Sequence, residues 1–551
     1  MSTLTSRIEQ GEIAAMALSL TSSEVEPSSS SARNPWHQRL TVGLHRARQL
    51  RATETAVIDG EVRMNWYVVV DRIARLAGAL RTLGLHDKDR VALLAPNSYR
   101  YLESCFATLW AGGVIAPANN RHTAAELIEF LRDCTPRILI IDESFHSLLP
   151  QLRAAEVVKQ IVVMSSAPVS GAHDYEQLLS SHEAIEDHSG SDDELACLFY
   201  TGGSTGKAKG VMLSHRNLWA NCAGAINVLG MNEDTVQLHC GPLFHVGSGS
   251  RIYSCTMAGG THVILPRFDP VSVLEAISTY RVTVAQFVPT MMNMLLRTPE
   301  FSKYDLSSLR HVVYGSAPMP VALLKELMAA WPSVRFVQSY GMTELSPVAT
   351  SLGPEWHVTE GPRSAKLASV GRPVYGTEIR IVDSADKEVP RGIVGEIVAR
   401  GPNVMRGYWN QPELTAQTLR GGWLHTGDLG KMDEDGFVYV VDRLKDMIIT
   451  GGENVYSAEV ENALYEHPGV LECAVLGLSD EQWGERVHAI IVPKDGAEPT
   501  VEQLLAHCRE RIAGYKCPRS IELRSLRLPQ TPANKIDKVA LRRAIASLGK
   551  R

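Results

Sequence analysis

Between Thr201 and Gly210 the chain reads TGGSTGKAKG, so four glycines, three hydroxyls and two ammonium groups fall within ten residues. Glycine lets a backbone bend without Cβ clashes, and successive N–H groups can then converge on an anion. Hydroxyl and ammonium donors at that density suit the oxygens of a triphosphate. Thr201, Gly202, Gly203, Ser204, Thr205 and Gly206 are therefore candidate nucleotide contacts, with Lys209 as a catalytic cation. The stretch is not a Walker A loop. Thr201 stands where that loop needs Gly, and Ala208 where it needs Ser or Thr.

Two more clusters follow runs with strand character. Gly315-Ser316-Ala317-Pro318 comes between an apolar run at 311–314 and an amphipathic one at 320–331. Ligands in α/β folds sit at the carboxyl ends of strands, which makes this turn a candidate nucleotide shelf. Gln338-Ser339-Tyr340-Gly341-Met342-Thr343-Glu344 closes the next run and brings out a ring, a hydroxyl and a carboxylate together. The Tyr340 ring can stack on a base, the Thr343 hydroxyl can bond a phosphate, and Glu344 can hold Mg²⁺.

In chain order these stretches resemble the signature of the adenylate-forming superfamily of acyl-CoA synthetases, luciferases and peptide-synthetase adenylation domains. The first is similar to its Y-T-S-G-T-T-G-x-P-K-G loop, in a G-G-S-T-G variant with Ala208 where Pro is usual. Tyr340 to Glu344 matches Y-G-x-T-E, and Trp423-Leu424-His425-Thr426-Gly427-Asp428 matches W-x-x-T-G-D. Residues 442–454, DRLKDMIITGGEN, resemble the hinge segment. Residues 528–536 resemble L-P-x-T-x-x-G-K-I, with Asn534 in place of Gly, a residue that also visits left-handed conformations.

The resemblance implies an acid activated by ATP to an acyl-adenylate, with loss of pyrophosphate, and passed to a thiol with release of AMP. It gives Asp428 and Arg443 to the ribose side, Lys445 to the pivot, and Gly451, Gly452 and Glu453 to the approach of coenzyme A. Lys535 becomes the group that bridges the acid's carboxylate and the α-phosphate. Leu243-Phe244-His245-Val246-Gly247-Ser248-Gly249 is similar to the P-L-F-H-x-x-G segment of the acyl pocket, with His245 as a gate beside the carboxylate. Val246, Gly247, Ser248 and Arg251 belong to that pocket segment; Arg251 inside the pocket would favour a polar or second carboxyl end on the acid, but it is expected to point to solvent. No Asp stands near it to pair an α-amino group, as amino-acid-activating relatives have. A medium- or long-chain fatty acid is the expected substrate, with aryl acids of the benzoate, cinnamate or ferulate type as the alternative. An acyl-carrier protein is the alternative acceptor to CoA.

These residues need a scaffold, and the hydropathy pattern describes one. Helical periodicity at 69–83, 124–131 and 320–331 alternates with strand-like runs at 91–94, 138–141, 282–287, 311–314 and 334–337. Such alternation predicts α/β architecture with mostly parallel sheets. From 370 to 441 short strands with Gly/Asp turns predict a β-rich lobe. The charged run 442–446 reads as a hinge, and the remainder as a small, mobile α+β domain in which Ser457 caps a helix. The expected division is a Ser-rich disordered tail over 1–35, a large domain over 36–441, the hinge, and a small domain over 447–551.

Composition excludes several classes. A net charge of −6 over 551 residues leaves no nucleic-acid footprint. No apolar run approaches the roughly 20 residues that span a bilayer, and the N-terminus lacks a secretory pattern. Nine cysteines without a C-x-x-C pair predict reduced thiols in a cytoplasmic protein. His239, His245 and His262 fit no metal-ligand spacing, and two of them are expected in core or surface roles. A homodimer is compatible with the sequence.

Overall fold

The computed structural model describes residues 38–201, 208–299, 301–531 and 535–548. The Ser-rich tail expected over 1–35 and the loop residues Gly202–Gly206 lie outside them. The chain forms a large N-terminal α/β domain and a small C-terminal domain. Among the described residues no helix is long and apolar enough to cross a membrane.

Two large sheets carry the N-terminal domain. In one of eight strands, Val114–Pro117, Arg90–Leu94, Ile138–Asp142 and Gln160–Met164 run parallel. Its other side continues through Leu195–Thr201 into the antiparallel Lys209–Ser214 and then Gly407–Tyr408. The nine-stranded sheet has Thr261–Ile264, Val236–His239, Val284–Phe287, His311–Gly315 and Arg335–Gly341 in parallel order. Parallel strands covered on both faces must be apolar throughout, and Leu93, Ile140, Val312 and Val337 are all buried. Their parallel order aims the turns after Gly315 and Gly341 to the same side of the sheet.

Side-chain caps fix where the covering helices begin. Asn65 accepts from the Val68 amide to start Trp66–Thr82, Ser98 accepts from Tyr101 to start Tyr99–Trp110, and Thr123 forms a capping box with Glu126 ahead of Ala124–Cys134. The β-rich lobe is a four-stranded antiparallel sheet of Glu378–Val382, Gly395–Arg400, Leu424–Met432 and Val438–Arg443. The small domain is a five-stranded sheet around the long pair Val470–Asp480 and Gly484–Pro493, backed by Ser457–Tyr465 and Val501–Arg509.

Two local expectations are corrected. The last lobe strand does not stop at 441. Asp442 and Arg443 still pair with Leu429 and Asp428, so the turn proper is Leu444–Met447, closed by Met447 N–H to Arg443 C=O at 3.0 Å. Ser457 is the first helical residue instead of a cap, because its hydroxyl is already engaged. It donates to Asp442 at 3.1 Å and accepts from Lys538 at 2.8 Å, while its own amide donates to Asp442. All nine cysteines are free and buried.

One ionic cluster ties three helices of the first sheet together. The fully buried Glu103 carboxylate accepts from Arg72 Nε at 2.6 Å and Nη2 at 3.0 Å, and from the Tyr175 hydroxyl at 2.9 Å. Arg72→Met leaves that carboxylate buried without its cation, which costs about 3–5 kcal/mol. Chemical denaturation is expected to show that loss, and the double variant Arg72→Met/Glu103→Leu to recover most of it. A single variant as stable as the parent contradicts the assignment.

Candidate active site

The two residues that flank the glycine-rich stretch are paired with each other. Thr201 and Lys209 are register partners across the hairpin, and Trp409 N–H donates to Gly210 C=O at 2.7 Å. A side chain at Gly210 would meet Tyr200 and Trp409, whose Tyr200 hydroxyl in turn donates to Asp133 at 2.5 Å. From this stem the Lys209 ammonium lies 5.3 Å from the centre of the Tyr408 ring. The Tyr408 hydroxyl donates to Glu344 Oε1 at 2.8 Å. Loop stem and Glu344 therefore meet through Tyr408.

Glu344 sits in the single 3-10 turn Thr343–Leu345 that follows strand Arg335–Gly341. Gly341 permits that exit, since a Cβ there would stand 1.9 Å from the Pro347 carbonyl oxygen. Burial pushes the Glu344 carboxyl up, against the pull of the Tyr408 hydroxyl, Lys209 and Arg443. A buried carboxylate is a hard oxygen donor, and with Thr343 beside it the chemistry fits Mg²⁺. On the neighbouring strand a Cβ at Gly315 would lie 2.1 Å from Ser339 C=O, and Ser316 takes a left-handed φ of 66°. The Gly315–Pro318 turn and Ser339–Met342 are thus adjacent walls.

Asp428 forms the second centre. Gly427 turns at φ 70°, and the Thr426 hydroxyl accepts from the Asp428 amide at 3.0 Å while donating to Ile397 C=O at 2.7 Å. The Asp428 carboxylate accepts from the Tyr340 hydroxyl at 2.8 Å, and Arg443 Nε stands 3.4 Å from its other oxygen. Burial raises its pKa while Arg443, Tyr340, Lys535 and Lys445 oppose the rise. Lys535 of the small domain is felt here and also at His245 of the large one. Burial and the neighbouring Arg443 bring the Lys535 amine down to about 8, with Asp428 pulling the other way. Burial, Lys535 and Arg121 bring His245 down to about 4, so its imidazole is neutral at pH 7.

His245 immediately precedes helix Val246–Ala258, and no capping bond engages its side chain. Val246 is buried, Gly247 and Ser248 are half-buried, and the empty side of Gly247 faces the Ser316 hydroxyl. Arg251 does not reach solvent as expected. It is 5% exposed, and its Nε donates to Gln286 Oε1 at 2.5 Å. The helix is enclosed on nearly every side, so it has no wet face on which a charge could lie. His239 and His262 are core residues, hydrogen-bonded to one another at 3.0 Å. Met291 and Met292 are core packing too.

The expected coenzyme A contacts stand elsewhere. Gly451 (φ 60°) and Gly452 (φ 83°) form the exposed turn between the small-domain strands Ile448–Thr450 and Glu453–Val455, and Glu453, also exposed, opens the second strand. Among the described residues no hydrogen bond or ion pair links that turn to Glu344 or Asp428. Lys445 is exposed in the turn after Arg443. Sequence reasoning missed Tyr408 and Gln286. The aromatic pair Tyr408-Trp409 in an otherwise polar stretch was the available signal for the first, and Gln286, a lone polar residue in an apolar strand, for the second.

The chain is similar to known proteins over most of its length. Residues 44–409 match the family model described as AMP-binding enzyme, and residues 459–535 match the AMP-binding enzyme C-terminal domain. The chain is 41% identical over 490 residues to a feruloyl-CoA synthase of an Amycolatopsis species, covering 89% of this chain and 95% of that one. A long-chain-fatty-acid–CoA ligase of Bacillus subtilis is 35% identical over 523 residues, covering 88% and 90%. The crystal structure of an anthranilate CoA ligase in complex with anthranoyl-AMP superposes with a TM-score of 0.87 at 30% identity, over 94% of this chain and 99% of that one.

The charge environment of Lys535 is directly measurable. Its pKa of about 8 lies below the ordinary lysine value of 10.5, so the unfolded chain binds the extra proton. This amine therefore destabilises the fold below about pH 8, and the penalty is relieved as pH rises from about 8 to 10.5. In a carbon-13 titration of labelled lysine side chains, one resonance is expected to titrate near pH 8 and to vanish in Lys535→Arg. Lysines that all titrate above pH 10 contradict the site geometry.

Proposed function

Because this chain belongs to the AMP-binding enzyme family and is an adenylate-forming acid–CoA ligase, we propose that it activates an aryl acid of the hydroxycinnamate type and that the residues gathered above carry out the first half-reaction. A carboxylate is a poor acylating agent because its leaving group would be oxide. An oxygen of the acid attacks the α-phosphorus of ATP, the bond from that phosphorus to the bridging oxygen of the β-phosphate breaks, and pyrophosphate leaves. The thiolate of CoA then attacks the acyl carbon, and AMP departs with the bonding electron pair.

Both reactants of the first step are anions, so positioning and charge neutralisation supply the catalysis. Asp428, oriented by Tyr340 and Arg443, receives the ribose hydroxyls. Tyr340 and the Gly315–Pro318 turn hold the base between them, and Thr343 with Lys209 and the 201–206 loop takes the phosphates. Glu344 with Thr343 would hold Mg²⁺, which when bound neutralises phosphate charge. Lys535 bridges acid and α-phosphate, and the neutral His245 leaves the acid's carboxylate room beside it. The observation that carries this reading is that Tyr340 and Arg443 converge on the buried Asp428 carboxylate at 2.8 and 3.4 Å, while the Tyr408 hydroxyl, 2.8 Å from Glu344, ties that carboxylate to the Lys209 stem. For the second half-reaction the small domain pivots about Lys445 within the 442–446 hinge, and the Gly451-Gly452-Glu453 turn receives CoA.

Aryl acids take the place that the sequence reading gave to fatty acids. The feruloyl-CoA synthase is the more similar of the two acid types compared, 41% against 35%. Arg251 favours the same acid type. Arg251 stands six residues beyond His245, about 9 Å along the helix axis, and an extended alkyl chain would drive its methyl end into that buried guanidinium. Pyrophosphate release with ATP and CoA is expected for ferulate and 4-hydroxycinnamate at a kcat/KM at least about tenfold above those for decanoate and palmitate. The reverse order contradicts the aryl reading, and pyrophosphate release with no acid of either type contradicts the proposal as a whole.

A further inference from the structure

Among the described residues, the buried charge of Arg251 on helix Val246–Ala258 has no counter-charge. Arg251 is 5% exposed, and its Nε is engaged by Gln286 Oε1 at 2.5 Å. Among the described residues no hydrogen bond or ion pair reaches its two terminal nitrogens, and no carboxylate acts on it. The ionisable groups that feel its charge are the Cys222 thiol, which burial pushes up to about 12, and the His239 imidazole, which burial and then Arg251 bring down to about 3, so both are neutral. A desolvated cation with free donors is costly, and a fold retains one where a ligand completes it.

The surroundings say what direction the ligand comes from. Gln286 spends its amide nitrogen on Gly247 C=O at 3.0 Å, which leaves the guanidinium pinned at one end and free at the other. Gly247 and Arg251 are four residues apart and share a face of helix Val246–Ala258. The missing side chain of Gly247 leaves a gap, with the Ser316 hydroxyl 3.5 Å and the Gln286 amide nitrogen 3.8 Å from where its Cβ would be. Gly247 and Gln286 are half-buried, whereas Arg251 is buried. Exposure thus falls along this face from the mouth, beside His245, to a cationic floor.

We propose that Arg251, positioned by Gln286, is the specificity-determining residue that receives an oxygen substituent at the far end of the acid. This rests on the reading that 245–251 lines the acid pocket. The shared chemistry is a hydrogen-bond acceptor oxygen opposite the reacting carboxylate, whether a phenol or a second carboxylate. An acid lacking it leaves the guanidinium donors unpaired, which is the strongest form of discrimination a polar site has.

The test compares trans-cinnamate, 4-hydroxycinnamate and 4-carboxycinnamate in ATP–pyrophosphate exchange. The parent enzyme is expected to favour an oxygenated acid over cinnamate by at least about tenfold in kcat/KM. The arm with the larger ratio tells phenol from carboxylate. Arg251→Met is expected to bring both ratios close to one. Gln286→Glu gives the guanidinium an internal carboxylate, so the ratio for 4-carboxycinnamate is expected to drop below one while the melting temperature rises, which keeps the test independent of any folding defect in Arg251→Met. Ratios near one in the parent, or parent ratios that survive in both variants, overturn the proposal. If aliphatic acids alone prove active, the aryl reading fails, and decanoate against decanedioate then tests Arg251 by the same ratios in the same variants.

Discussion

Asp428 sits where three segments far apart in sequence share one balance of charge. Its carboxylate is buried, which favours the neutral form, yet a tyrosine hydroxyl from residue 340 and cations at 443 and 535 hold against that preference. Each partner depends on the others. Tyr340 exits a parallel strand, Arg443 pairs with Asp428 across the lobe's last two strands, and Lys535 comes from the C-terminal end of the chain. The Lys535 amine is in turn brought down by burial and then by Arg443, with Asp428 pulling the other way. In a low-dielectric site such charges act more strongly than in water, and little solvent needs to reorganise when another anion arrives.

Much of this arrangement could be read from the chain because it is written in local geometry. Gly315 and Gly341 stand where a neighbouring carbonyl leaves no room for a Cβ, and Gly427 and Gly451 where φ is positive. Such positions recur as short motifs since the backbone admits little else. The alternation of helix and strand was equally legible, because covered parallel strands must be apolar and their covering helices amphipathic. What was not legible depends on packing between distant segments. The Tyr408 contact to Glu344 spans 64 residues. Arg251 looked like a surface residue by type, and only the enclosure of its helix on nearly all sides put it inside. The charged run at 442–446 looked like a uniform turn, whereas Asp442 is buried in a strand and its carboxylate is occupied by Ser457 at the start of a small-domain helix.

That last contact shows how the strand before the hinge is joined to the small domain. Asp442 pairs through its backbone with the lobe and through its side chain with helix Ser457–Tyr465, where Lys538 Nζ also reaches the Ser457 hydroxyl at 2.8 Å and Glu461 at 2.7 Å. Lys538 is three residues beyond Lys535. The buried polar group at the start of the small domain's first helix is therefore bonded to a residue three positions beyond Lys535, whose own amide donates to the Thr531 hydroxyl at 3.3 Å and whose carbonyl accepts from the Thr531 amide at 2.7 Å. Burial pushes the Asp442 carboxyl up, while Lys538 and the amides of Arg443 and Ser457 pull the other way.

The central claim is that an oxygen of the acid is bonded to the α-phosphorus of one ATP before any thiol is acylated. Turnover of an aryl acid carrying oxygen-18 in both carboxylate oxygens, followed by mass analysis of the nucleotide product, reads this directly. The account predicts that AMP carries one labelled oxygen and that pyrophosphate carries none. Unlabelled AMP, or label in the pyrophosphate, would contradict it.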